Sequence, residues 1–302
     1  MSRLPVDLLS IDSLSDDQIE TILDEGERWF EAARNGAPGD ERLRGRIVFN
    51  LFYENSTRTL MSFASAAQRL GAGDVSLPVA QSSVKKGETL EDTARTLGAM
   101  RPDALVIRHR ENGAAHRIAE IVGCPVINAG DGTNEHPTQA LLDALTIRSH
   151  FGRIEGLTIA ICGDIRHSRV AHSNAKLLPR LGAKARLAGP PELLPDELLT
   201  ASSIDEAVEG ADVVMVLRVQ RERLERDLGD GPGEYLQRYG LTGERLARAA
   251  PHAMVMHPGP MNRGVEIEDA IADNPERSLI MRQVEYGVAV RMACLDLLIS
   301  SS

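Results

Sequence analysis

Short apolar runs alternate along this chain with stretches whose apolar positions recur every three or four residues. Ile47, Val48, Phe49, Leu51 and Phe52 form one continuous run, which suits a strand buried on both faces. Behind it Leu60, Phe63, Ala64, Ala67 and Leu70 recur at helical spacing until Gly71 and Gly73 stop the pattern. The same reading predicts strands over 46–52, 74–78, 104–109 and 125–129, with helices near 58–70, 88–99 and 113–122. After Gly156 a second series predicts strands over 157–162, 183–188, 212–217 and 253–257. Such alternation implies an α/β fold of parallel sheets with helices on both faces, and two series imply two domains. Ser15-Asp16-Asp17-Gln18 has the form of a capping box, ahead of a helix that carries Ile19, Ile22, Leu23, Trp29 and Phe30 toward a core. A long terminal helix is predicted over 282–299. His136-Pro137 opens a helix with Pro in its first turn, and a hinge is expected near 134–139. Residues 220–240 are densely charged with Gly229, Gly231 and Gly233 clustered; they read as a solvated loop and as a candidate lid.

Bulk properties narrow the classes of function. The 302 residues suit two domains, and a net charge of −10 argues against a nucleic-acid surface or an anionic membrane as partner. An anionic substrate must then be drawn by local Arg and Lys clusters. Cys124, Cys162 and Cys294 are far apart and embedded in apolar runs, so they read as buried hydrophobes without disulfide or zinc spacing. No basic-then-apolar leader pattern opens the chain, and no apolar run approaches the roughly 18 residues that span a bilayer. The expectation is a soluble, cytoplasmic protein.

The chemistry gathers where strands end. Ser56-Thr57-Arg58-Thr59 falls where a parallel strand hands over to a helix N-terminus, so hydroxyls, backbone N–H groups and a guanidinium converge as an anion cradle, most naturally for phosphate. The plain alternative is an ordinary N-cap, which needs one hydroxyl rather than three around an Arg. Arg108 closes a second strand, His136 and Gln139 follow a third, and Arg169 follows the strand and turn ending in Gly163-Asp164. Arg218 and Gln220 follow the run 213–217, and Pro258-Gly259-Pro260 follow the last strand. Open parallel sheets bind ligands beyond the carboxyl ends of their strands, so these groups predict an Arg-rich cleft between the domains with one His and no nucleophilic Cys. No metal-ligand spacing or Gly-rich nucleotide motif is present, so neither a metal nor a cofactor is expected.

Six motifs in order carry a family resemblance: Ser56–Thr59, Ser82-Ser83-Val84-Lys85-Lys86-Gly87-Glu88-Thr89, Arg108-His109, His136-Pro137-Thr138-Gln139, Asp164-Ile165-Arg166-His167-Ser168-Arg169 and His257-Pro258-Gly259-Pro260. On these the chain resembles the transcarbamoylases over nearly its whole length. The resemblance implies a carbamoyl phosphate-binding domain over 1–135, an amino-acid-binding domain over 136–282, and a terminal helix over 283–302 that returns to the first domain. It implies that Ser56, Thr57, Arg58, Thr59 and Arg108 hold the phosphate, and that Thr59, Arg108 and His136 meet the carbamoyl oxygen. Gln139 and the backbone carbonyls of Pro258 and Gly259 are then implied for the carbamoyl NH₂. Ornithine enzymes typically carry His-Cys-Leu-Pro and an Asp-x-x-x-Ser-Met-Gly stretch, and neither occurs here. Arg169, Arg218 and Gln220 instead suit the two carboxylates of L-aspartate, whereas a cationic side chain would be repelled. The expected reaction is therefore transfer of the carbamoyl group from carbamoyl phosphate to L-aspartate, a step of pyrimidine biosynthesis.

Two variations stand beside these positions: His172 occupies a place where Arg often follows Val-Ala, and Gly259 replaces a Leu. Ser82 and Lys86 lie in a polar stretch that reads as an exposed loop. In the family this loop enters the neighbouring subunit's cleft, so the resemblance implies a homotrimer with shared active sites, Ser82 serving carbamoyl phosphate and Lys86 serving aspartate. Further assembly with regulatory or dihydroorotase-type chains is left open. Rival readings are a transcarbamoylase with another amine acceptor, and a non-catalytic scaffold chain of the same fold. Such scaffold chains usually lose Arg58, Lys86 or His136, all of which are present.

Overall fold

The computed structural model describes residues 6–37, 39–78, 87–195, 203–219 and 232–300. Ser82, Lys86 and Gln220 therefore lie outside the described residues. Contacts divide the chain into two compact units, Met1–Leu145 with Val284–Ser302 and Thr146–Gln283. Both divisions fall inside helices.

The first unit opens with α1 (Asp16–Arg34), and its Ser15 capping box is made in full: Ser15 accepts from Gln18 N, and Gln18 reaches back to Ser15 N. There follow β1 (Ile47–Phe52), α2 (Thr57–Arg69), β2 (Gly73–Pro78), α3 (Leu90–Ala99), β3 (Ala104–His109), α4 (Ala114–Val122), β4 (Val126–Asp131) and α5 (Pro137–Phe151). All four strands pair in parallel, in the order β2-β1-β3-β4. Val48, Leu51, Leu105, Val106, Ile107, Val126 and Ile127 are buried because helices cover both sides of the strands that carry them.

The second unit repeats the plan. It contains β5 (Thr158–Cys162), α6 (Arg169–Arg180), β6 (Lys184–Ala188), α7 (Ile204–Val208), β7 (Val213–Val216), α8 (Pro232–Tyr239), α9 (Gly243–Leu246), β8 (Met254–Met256) and α10 (Asp269–Ala272). Its strands are again parallel, in the order β6-β5-β7-β8. The last helix, α11 (Ile280–Ile299), begins in this unit and ends in the first. Each sheet thus reverses its winding once, between β1 and β3 and between β5 and β7. A crevice opens at such a reversal because the flanking connections leave in opposite directions, and ligands settle there.

One expectation changes. The stretch 220–240, read as loop, is helical over Pro232–Tyr239, where Tyr235 is buried and stacks at a tilt on Tyr239 with ring centroids 5.5 Å apart. Proline is tolerated in a first helical turn, and two aromatics a turn apart give the helix a face to bury. Among the described residues no helix is long and apolar enough to cross a membrane.

Candidate active site

In the first unit the reversal point carries Ser56-Thr57-Arg58-Thr59 and Arg108, which follow or close β1 and β3. β1 ends at Phe52, paired in register with Arg108 at the end of β3, and Tyr53 N donates to the Arg108 carbonyl at 2.9 Å. Four residues separate Phe52 from α2. Ser56 occupies the N-cap with extended backbone, yet its side chain makes no capping hydrogen bond. The first turn holds no acidic residue either. The ordinary N-cap reading is therefore not what the Ser56 hydroxyl does, and the positive end of the helix is not neutralised by its own side chains. Thr57 and Arg58 are exposed, Ser56 is half-buried and Thr59 is buried. Arg108 donates Nη1 to the Ala129 carbonyl at 3.2 Å, and its Nε stands 3.6 Å from the Glu54 carboxylate.

His136 sits at the start of α5, buried, with its carbonyl accepting from Gln139 N at 2.9 Å and Ala140 N at 3.3 Å. The turn that leads into it is held by a buried carboxylate that the sequence reading did not single out. Asp131, at the end of β4, accepts from Asn128 Nδ2 at 2.8 Å, Gly113 N at 2.7 Å, Asn134 Nδ2 at 3.1 Å and Glu135 N at 3.2 Å. Glu135 in turn accepts from Ile11 N at 2.9 Å. Satisfied so fully, a buried carboxylate rigidifies its turn. The Asp131-Gly132 pair at the end of an apolar run was the available signal. Gln139 donates Nε2 to Asp143 at 2.9 Å.

In the second unit Arg169, Arg218, Pro258 and Gly259 follow the carboxyl ends of β5, β7 and β8, all at one end of one sheet. Gly163 follows β5 at φ 131°, and a Cβ there would stand 2.9 Å from the Leu217 carbonyl, so only glycine lets the two strand ends close up. Asp164, fully buried, accepts from His167 N at 3.1 Å and pairs with its Nδ1 at 2.9 Å. Ser168 caps α6 by accepting from Ala171 N at 3.2 Å, which sets Arg169 as the first helical residue, buried to 8% exposure. Arg218 is half-buried, two residues past β7. At the end of β8, Gly259 N donates to His257 Nδ1 at 2.8 Å and His257 N donates to Gln283 at 2.8 Å. Glu266, also buried, accepts from Asn262 N at 2.5 Å and lies 3.4 Å from His257 Nε2.

Burial pushes the Cys162 and Cys294 thiols up to about 12 and Cys124 up to about 11, which leaves no thiolate at neutral pH. Among the described residues no cluster of His, Cys, Asp and Glu could hold a metal ion. Taken unit by unit, the strand-end groups are hydrogen-bond donors, guanidiniums and carbonyls, which suit binding, orientation and stabilisation of a developing negative charge.

Both halves match known families. Residues 6–149 match the carbamoyl-P binding domain of the aspartate/ornithine carbamoyltransferases, and residues 155–298 match their Asp/Orn binding domain. The chain belongs to the aspartate/ornithine carbamoyltransferase family. Among its relatives are two proteins named aspartate carbamoyltransferase catalytic subunit. The one from Rhizorhabdus wittichii is 56% identical over 296 residues, covering 96% of this chain and 94% of that protein. The one from Gluconobacter oxydans is 56% identical over 299 residues, covering 97% and 95%. Among solved structures, aspartate transcarbamoylase from Trypanosoma cruzi in complex with carbamoyl aspartate and phosphate matches with TM-score 0.87 at 33% identity, covering 97% of this chain and 95% of that one. Ornithine carbamoyltransferase from Pyrococcus furiosus matches with TM-score 0.89 at 28% identity, covering 99% of each. The fold is shared by both acceptor classes, so the acceptor has to be argued from side chains and from the closer relatives.

Proposed function

We propose that this chain transfers the carbamoyl group of carbamoyl phosphate to the amino group of L-aspartate, giving N-carbamoyl-L-aspartate and phosphate. The observation that carries the acceptor is a pair of guanidiniums, Arg169 and Arg218, at the carboxyl ends of β5 and β7 in the second unit. Two carboxylates need two such donors, and a cationic amine side chain would meet repulsion there. The relatives 56% identical that carry the aspartate name support the same choice.

The mechanism follows from the charges. Ser56, Thr57, Arg58, Thr59 and Arg108 hold the phosphate at the uncapped start of α2. Thr59, Arg108 and His136 donate to the carbamoyl oxygen, which gains negative charge as the amine nitrogen attacks the carbamoyl carbon. Gln139 and the carbonyls of Pro258 and Gly259 accept from the carbamoyl NH₂. Arg169, Arg218 and Gln220 hold the two aspartate carboxylates. The C–N bond forms, the bond from carbon to the phosphate oxygen breaks, and the departing phosphate takes the amine proton. Rate comes from orientation and charge stabilisation, with no covalent intermediate on the protein. Ser82 and Lys86 complete the set from a neighbouring copy in a homotrimer, Ser82 toward phosphate and Lys86 toward aspartate.

The test is an assay of the purified chain with carbamoyl phosphate and either aspartate or ornithine. Carbamoyl aspartate is the expected product. Turnover of ornithine alone would overturn the acceptor, and turnover of neither would make this a non-catalytic member of the family.

A further inference from the structure

Gln139 donates its side-chain Nε2 to Asp143 Oδ1 at 2.9 Å, one turn further along α5. A carboxylate only accepts, so this contact sets which end of the carboxamide faces Asp143: the nitrogen is turned inward and Oε1 is presented on the opposite side. Asp143 is fully buried, so bulk water does not compete with the carboxamide for its oxygen.

We propose that Asp143 is a positioning residue that selects the carbamoyl group: it holds the Gln139 carboxamide with its oxygen toward the substrate NH₂. The inference rests on the proposed binding of carbamoyl phosphate at Gln139. Inorganic phosphate has no NH₂ and acetyl phosphate carries a methyl group in its place, so neither gains from that orientation.

The experiment measures dissociation constants of carbamoyl phosphate, acetyl phosphate and inorganic phosphate for the full-length chain and its variants. Asp143→Asn keeps the shape but offers Gln139 either an oxygen or an amino group, so the carboxamide is no longer held one way. Carbamoyl phosphate should weaken about tenfold while the other two ligands shift by less than about twofold, the scale of one specific hydrogen bond. A merely structural role would weaken all three together, and that result, or no change, overturns the proposal. Gln139→Ala separates the two levels. If it leaves carbamoyl phosphate binding intact, the placement of substrate at Gln139 fails and the inference with it. If it weakens carbamoyl phosphate selectively and Asp143→Asn does not, only the positioning role fails. Should Asp143→Asn not fold, Asp143→Ala carries the same comparison: it removes the acceptor and leaves the carboxamide free to turn, with the same selective loss expected and an equal loss for all ligands contradicting it.

Discussion

The Gly259 backbone N–H donates to His257 Nδ1 at 2.8 Å, while His257 Nε2 lies 3.4 Å from the buried Glu266 carboxylate. A neutral imidazole carries one proton, so a ring that accepts at Nδ1 is protonated at Nε2, facing Glu266. The histidine thus braces the Pro258-Gly259 turn from beneath. Asparagine carries an acceptor near the position of Nδ1, and glutamine carries one near Nε2. His257→Asn should therefore keep most of the affinity for carbamoyl phosphate. His257→Gln should leave the Gly259 N–H unpaired, at a cost of about 1–3 kcal/mol in folding stability, and should raise the KM for carbamoyl phosphate. Denaturant unfolding and steady-state kinetics on the two variants check this; equal behaviour of both would remove the role.

Glu54 and Arg108 form the second testable pair. At 3.6 Å, with side chains 21% and 14% exposed, the carboxylate both steadies the guanidinium and repels a phosphate brought to it. Glu54→Gln should tighten binding of inorganic phosphate and lower turnover, because Arg108 loses its brace. Product-inhibition constants and kcat read the two effects separately. Weaker phosphate binding in this variant would show that the carboxylate contributes to the cradle rather than opposing it.

Much of this arrangement is legible along the chain. Among the described strands β1, β3, β4, β5, β7 and β8 each contain a short apolar run, and the strand-end groups follow from where those runs stop, whereas β2 and β6 carry polar residues along their length. Ser56 shows the limit. Its residue type predicts a cap, and only the folded helix shows that its hydroxyl is not used for one. Glu266 is a further step removed, since what it does depends on His257, brought to it by tertiary packing. No local period encodes such pairs. Tyr235 was hidden in a segment dominated by charges and glycines, where two aromatics a turn apart were outweighed by composition.

Arg218 tests the division of labour between the units. Replacing it by Ala should raise the aspartate KM sharply, by the equivalent of about 2–5 kcal/mol if the carboxylate contact is fully desolvated. Carbamoyl phosphate binding should stay near normal. Equal loss for both substrates would mean that Arg218 does not belong to the aspartate side.

Gly163 links sheet packing to the same region. Its φ of 131°, and a Leu217 carbonyl only 2.9 Å from the place a Cβ would take, make Gly163→Ala doubly unfavourable. The expected loss is about 1–3 kcal/mol in urea unfolding, with a raised aspartate KM because Leu217 precedes Arg218. A variant of unchanged stability would show that β5 and β7 can part at no cost.

The proposed role of Lys86 makes one copy of the chain an incomplete enzyme. The proposed site handles a phosphate and two carboxylates, and a Lys on a loop can reach in as a point charge. If that Lys comes from a neighbouring copy, a site can be built from one intact face of each of two damaged subunits. Lys86→Gln and Arg58→Ala subunits should each be nearly inactive as pure assemblies. Dissociated, mixed and reassembled, they should regain activity, because some sites then combine the Arg58 of one subunit with the Lys86 of the other. An affinity tag on the Lys86→Gln subunits alone, with Arg58→Ala subunits recovered alongside them, establishes that mixed assemblies have formed. Mixed trimers that recover no activity would mean that Lys86 serves the site of its own chain, and the shared-site arrangement would be wrong.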